Sequence, residues 1–124
     1  MSAVSGGDTK PELIVRRLVH GMGFRYRLHV AGLPGKPDMV LARHRKVIFI
    51  HGCFWHGHEG CKRAARPSSN IEFWNAKIDK NLQRDRRNLA ELERLRWKIL
   101  VVWECETKNI AKLTEILSNF LNGP

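Results

Sequence analysis

Two uninterrupted apolar runs, "VIFI" at 47–50 and "ILVVW" at 99–103, constrain the fold of this chain more than any other feature. A strand with one wet face alternates apolar and polar residues, whereas one covered on both faces reads as a continuous apolar stretch. Between the runs, Ile71, Trp74, Ile78, Leu82, Leu89 and Leu92 recur at helical spacing, with Lys77, Lys80, Arg84 and Arg87 off that stripe. A helix joining two buried strands reads as a right-handed crossover between parallel neighbours. Asp85 falls inside the apolar stripe, and a buried ion pair with an arginine is the expected reason.

The remaining elements follow from local signals. "TKPE" offers Thr9 as a helix N-cap, Pro11 in the first turn and Glu12 at the capping-box position. Leu13, Ile14, Arg17 and Leu18 continue that helix, and Gly21 and Gly23 should end it. In "FRYRLHV" (24–30), apolar and charged residues alternate as in a half-buried strand; "MVLA" (39–42) is a second strand and "RHRK" (43–46) a tight basic turn. Ile110, Leu113, Leu117, Phe120 and Leu121 mark a closing helix. The expected order is α-β-β-β-α-β-α, one mixed sheet flanked by helices. Residues 1–8, small and polar, read as a flexible arm, and 9–124 as one domain.

Charge narrows the partner. With 22 Lys+Arg against 12 Asp+Glu, the net charge is +10, which favours a polyanion such as nucleic acid. A solvated basic surface is the plainer alternative. No stretch reaches the length of a membrane span and no signal peptide opens the chain, so a cytoplasmic protein is expected. Three cysteines, an odd number, argue against a disulfide framework in a reducing compartment.

The cysteines instead cluster with histidines in "HGCFWHGHEGC" (51–61). Cys53, His58 and Cys61 have a spacing that one loop can wrap around zinc, which favours thiolate and imidazole donors. If the two apolar strands are parallel neighbours, their C-terminal ends lie side by side and Cys105 can supply a fourth ligand. A closed Cys3His shell is structural, with no position open to water. Cysteines as small buried hydrophobes are the alternative. His51 and His56 are left over and free for chemistry, His51 at the strand end where α/β proteins gather ligands. A hydrogen-bonded structural role would equally place a histidine there.

Taken together, "LPGKPD", "VIFIHGCFWHGHEGC", "EFWNAKIDKNLQRDRRN" and "VVWEC" closely resemble the very short patch repair (Vsr) family of DNA mismatch endonucleases. The resemblance runs in order from about Thr9 to Glu106. It implies a restriction-endonuclease-like α/β core with a structural zinc, and Mg2+-dependent nicking of one strand beside a T:G mismatch. By the same resemblance, Asp38 and the backbone carbonyl of Ile50 are Mg2+ ligands. His56 activates the attacking water, His51 contacts the phosphate, and Glu12 reaches the metal centre from the first helix, where capping explains it equally well. Histidine stands on the third strand where other nucleases of this fold carry a lysine.

Phe54 and Trp55 correspond to aromatics that the family wedges into the base stack. Trp74 corresponds to another intercalating residue, with core packing as its rival, and Lys77 and Asn81 to residues that contact DNA. The implied partners are double-stranded DNA carrying a T:G mismatch and a MutL-like repair factor. A monomer in the bacterial cytoplasm, associated with the nucleoid, is expected. Members of the family carry a longer basic segment before the first helix, so a weaker mismatch preference is expected here. The competing readings are a Vsr-like nuclease of a restriction or defence system that needs no mismatch, and a zinc-stabilised DNA-binding module that does not cut.

Overall fold

The computed structural model describes residues 9–123, so the expected arm at 1–8 lies outside the described residues. Helix α1 (Lys10–Gly21) leads into strands β1 (Arg27–Leu28), β2 (Met39–Leu41) and β3 (Lys46–His51). Helix α2 (Ile71–Arg94), strand β4 (Lys98–Trp103) and helix α3 (Ile110–Asn122) follow, which is the expected order. The sheet order is β1-β2-β3-β4: the first two pairings are antiparallel, and β3 and β4 are parallel over six residue pairs, from Lys46 opposite Lys98 to His51 opposite Trp103. Among the described residues no helix is long and apolar enough to cross a membrane.

The alternation within β3 explains its unbroken hydrophobicity. Ile48 faces a core shared with Val15 and Val19 of α1 and Leu113, Leu117 and Leu121 of α3. Val47 and Phe49 face Leu92 and Leu89 of α2 on the other side. The sheet is thus the middle of three layers, and both its faces are dry where β3 runs.

Three local expectations are corrected. The strand at 24–30 shrinks to Arg27–Leu28, because His29 takes a left-handed backbone (φ 48°) that ends the ladder. Phe24 and Tyr26 still pack on the core shared by α1 and α3, while Leu28 is exposed. The apolar stripe of α2 begins later than expected: Ile71 is 54% exposed, since the first turn of the helix runs past the core. Lys46, read as part of a basic turn, is buried in β3.

Lys46 has a specific reason to be inside. Its ammonium donates to the carbonyls of Phe120, Leu121 and Gly123 at 2.7, 3.0 and 2.9 Å. It therefore satisfies the last turn of α3 and complements the negative end of the helix dipole. Lys46→Met should leave those carbonyls unpaired and cost about 1–3 kcal/mol. Urea denaturation should show a lower midpoint with an unchanged slope; an unchanged midpoint would mean that water replaces the ammonium without cost.

Candidate active site

The parallel pairing of β3 with β4 delivers two chain segments to one edge of the sheet. His51 ends β3 directly beside Trp103 at the end of β4, so the loop after His51 and the turn at Glu104–Lys108 start level with each other. The 51–61 loop then folds back on α2. Gly57 adopts φ +58°, and a Cβ there would come within 3.2 Å of Ile78 and Leu82. Glycine is needed at this point both for the backbone and for the close approach.

On one side of this loop, the ligand atoms of Cys53, His58, Cys61 and Cys105 all lie within 4.8 Å of one another. Nδ1 of His58 is 3.5 Å from Sγ of Cys105, and the His58 ring stacks on Trp103. Burial, then the neighbouring thiols of Cys53 and Cys61, push the Cys105 thiol up to about 12. Thiols so crowded resist becoming thiolates unless a cation shares the site. The donor set, soft sulfur with one imidazole, could hold a metal ion, and its chemistry suits zinc.

On the other side lie His51 and His56, outside that group. Their rings stack at 3.8 Å and 6°. Nδ1 of His56 is 2.7 Å from Oδ2 of Asp85, so among the described residues the acid within the α2 stripe pairs with a histidine and not, as expected, with an arginine. This partner was missed because His56 and Asp85 are far apart in the chain; the acid on an apolar face was the only signal. His51 is buried, and its Nδ1 has no hydrogen-bond partner among the described residues. Burial first, and then His56 against it, pull the His51 imidazole down to about 4, so it is neutral at physiological pH. Two stacked imidazoles are tolerable on these terms, since they do not both carry charge.

Next to the histidines, Asp38 stands at the start of β2 with Oδ2 accepting from the Ile50 backbone N–H at 2.6 Å. Glu12 is buried on α1. Its Oε2 accepts from the Thr9 hydroxyl at 2.9 Å and its Oε1 from Arg16 at 3.2 Å. The Thr9 side chain in turn accepts from the Glu12 N–H, so Glu12 serves the helix start while its carboxylate reaches inward. Ligand atoms of Glu12, Asp38 and His29 fall within 4.8 Å of one another. His29 was not singled out by sequence, where alternation put it on the wet face of a strand. The chain bend at that residue turns it towards the two acids. Burial chiefly, with Glu12 adding, raises the Asp38 carboxyl to about 6 despite the Ile50 hydrogen bond. Asp38, Ile50, His51, His56, Arg84 and Asp85 line one cleft of about 500 Å³.

Beside the cleft, Phe54, Trp55 and Trp74 form an aromatic group, with ring centroids 5.1 to 5.8 Å apart. Trp74 belongs to neither core cluster, and Trp55 is 46% exposed. Phe73, which the sequence reading missed, extends the group and is 59% exposed. Its only signal was its place next to Trp74. The Asn81 side chain donates to the Trp55 carbonyl at 2.9 Å, and the Lys77 ammonium lies 5.7 Å from the Trp55 ring centre.

The fold has a solved counterpart among nucleases. It superposes on the catalytic domain of homing endonuclease I-Bth0305I with a TM-score of 0.61, covering 91% of this chain and 94% of that one at 20% identity. Sequence carries the assignment further. Residues 1–63 match the family model for the DNA mismatch endonuclease Vsr. The chain is 46% identical over 121 residues to the type II nicking enzyme V.NmeAIP of Neisseria meningitidis serogroup A, covering 98% of this chain and 86% of that protein. It is 44% identical over 115 residues to the DNA mismatch endonuclease Vsr of Escherichia coli K12, covering 93% and 73%. The chain belongs to the Vsr family of DNA mismatch endonucleases. It is therefore an endonuclease, and the reading as a non-cutting DNA-binding module falls.

Asp38 and His51 make opposite demands on stability. Asp38, raised from 3.8 to about 6, holds its proton more tightly when folded, so its contribution is lost as pH rises through about 4 to 6. His51, lowered from 6.5 to about 4, sheds its proton on folding, so its contribution is lost as pH falls through nearly the same window. Asp38→Asn removes only the first. Without divalent cations it should be more stable than wild type at pH 7.5, by at most about 3 kcal/mol, with the advantage fading towards pH 4. Urea denaturation from pH 4 to 8 measures this. A variant less stable than wild type at pH 7.5 would show that burial is not what governs Asp38.

Proposed function

We propose that this protein nicks one strand of double-stranded DNA beside a T:G mismatch, using Mg2+ for chemistry and zinc for structure on a restriction-endonuclease-like core. The observation that carries the reading is the single cleft where Asp38 faces a His51–His56 pair, with exposed aromatics alongside. Asp38, Glu12 and the Ile50 carbonyl would hold Mg2+. In a strand the N–H and C=O of one residue point the same way, and the Ile50 N–H already points at Asp38. Bound there, Mg2+ would supply positive charge to neutralise the phosphate and orient the scissile group.

The side chains divide the rest of the work. With Asp85 holding a proton on Nδ1 of His56, Nε2 of that ring is left to take a proton from the attacking water. His51, neutral and fixed by burial, donates to a phosphate oxygen without repelling the protonated His56. Lys77, Lys80 and Arg84 hold phosphates of any duplex. Phe54, Trp55 and Trp74 open the stack, which costs a few kcal/mol and least at a mismatch. Asn81 keeps Trp55 in place through its backbone carbonyl. Cys53, His58, Cys61 and Cys105 would hold zinc and tie the loop to the turn after β4. The enzyme acts as a monomer in the bacterial cytoplasm, where a MutL-like factor is the expected repair partner.

A second reading, a nuclease of a restriction or defence system that needs no mismatch, is favoured by relatives named as type II nicking enzymes. Single-turnover nicking of matched and T:G duplexes separates the two. Wild type should prefer the mismatch, and Trp55→Ala should lose that preference while keeping most of its salt-sensitive affinity. Equal nicking of both duplexes by wild type favours the second reading. His56→Ala should slow cleavage by about 100-fold or more with little change in DNA affinity; an unchanged rate would move the general base elsewhere. For the zinc site, Cys105→Ala should release the metal and lower the thermal midpoint. Full zinc retention by that variant would contradict the ligand set.

A further inference from the structure

His29 is a potential metal ligand near the expected Mg2+ site that neither the sequence motifs nor the reaction above employs. It lies between the two acids: Nε2 is 3.4 Å from Oε1 of Glu12, and Nδ1 is 3.9 Å from Oδ1 of Asp38. The second distance is too long for a hydrogen bond. It suits two ligands of one ion, because an octahedral shell at about 2.1 Å places its donors about 3 Å apart when adjacent and about 4 Å when opposite. A histidine that ligates a metal through one nitrogen commonly donates its other N–H to a carboxylate, and Glu12 is placed to accept it. Arg16 donates to Nε2 of His29 at 3.4 Å and to Oε1 of Glu12 at 3.2 Å, so ligation through Nδ1 requires Arg16 to give up the longer of these two contacts and the imidazole proton to move to Nε2. While Arg16 donates to that nitrogen, Nδ1 carries the proton and has no lone pair for a cation.

We propose that His29 is a nitrogen ligand of the catalytic cation through Nδ1, so that this site favours Mn2+ over Mg2+ in a way an all-oxygen site would not. The proposal rests on the metal reading of Asp38 given above. The reasoning is one of donor chemistry: imidazole adds little affinity for Mg2+, which takes oxygen, and adds more for first-row transition ions. Mn2+ replaces Mg2+ without changing the other ligands, since carboxylates and carbonyls suit both ions.

The test uses the zinc-loaded protein and Mn2+ as the probe. Free Mn2+ is followed by electron paramagnetic resonance with Mg2+ as competitor, and pulsed measurements detect a directly bound nitrogen. His29→Asn is the informative variant, because asparagine tolerates the left-handed backbone at this position but is too short to reach the ion. Wild type should show nitrogen coupling. His29→Asn should lose that coupling and bind Mn2+ about tenfold more weakly, with Mg2+ affinity nearly unchanged. Retention of both the coupling and the Mn2+:Mg2+ ratio in His29→Asn, with binding lost in Asp38→Asn, overturns the role of His29 alone. Unchanged Mn2+ binding in Asp38→Asn overturns the metal reading itself, and this proposal with it.

Discussion

The parallel ladder between β3 and β4 is the interaction on which the rest depends. Because His51 and Trp103 are paired, the two strands end at the same level, and residues 53 and 105 can meet across the edge of the sheet. Parallel strands need a long crossover, and α2 serves as that crossover. The same helix then supplies Asp85 to His56, Asn81 to the backbone of Trp55, and a wall of the cleft. A register slip of one residue between β3 and β4 would turn His51 to the opposite face and separate the cysteines.

The loop at 51–61 carries two separate donor sets in alternation along the chain. Cys53, His58 and Cys61 turn to Cys105, while His51 and His56 turn to the cleft. A short loop of this kind has little core of its own, and the proposed metal tie would hold it. Asp38 and His51 add a cost of a different kind, because both are buried in a form that burial disfavours or neutralises. A fold that holds such groups in place gives up stability at its site, which is the usual compromise of a preorganised centre.

The framework was readable from sequence wherever hydrophobicity was periodic or continuous. The two apolar runs and the stripe between them led to the parallel pair, and "TKPE" to the start of α1, because those signals lie within a few residues of each other. The placement of Cys105 beside the loop followed from that topology. What escaped notice depends on contacts across the chain. Lys46 was assigned to a turn because lysine is usually solvated, and only the end of α3, some 75 residues on, explains its burial. His29 and Asp85 were misjudged for the same reason: a polar residue at a strand end or in a helix stripe does not announce its distant partner. Phe73 was hidden by its exposure, which no periodic pattern encodes.

In the proposed function the loop's donors are partitioned, thiolates and His58 for structure and the other two histidines for chemistry. X-ray absorption at the zinc edge, on the protein as purified and again with duplex DNA and Mg2+ added, tests it most directly. One zinc with three sulfur ligands at about 2.3 Å and one nitrogen at about 2.0 Å is expected, unchanged by the additions. A shell with two or more nitrogens, or an oxygen ligand that appears with DNA, would contradict it by drawing His51, His56 or solvent into the zinc site.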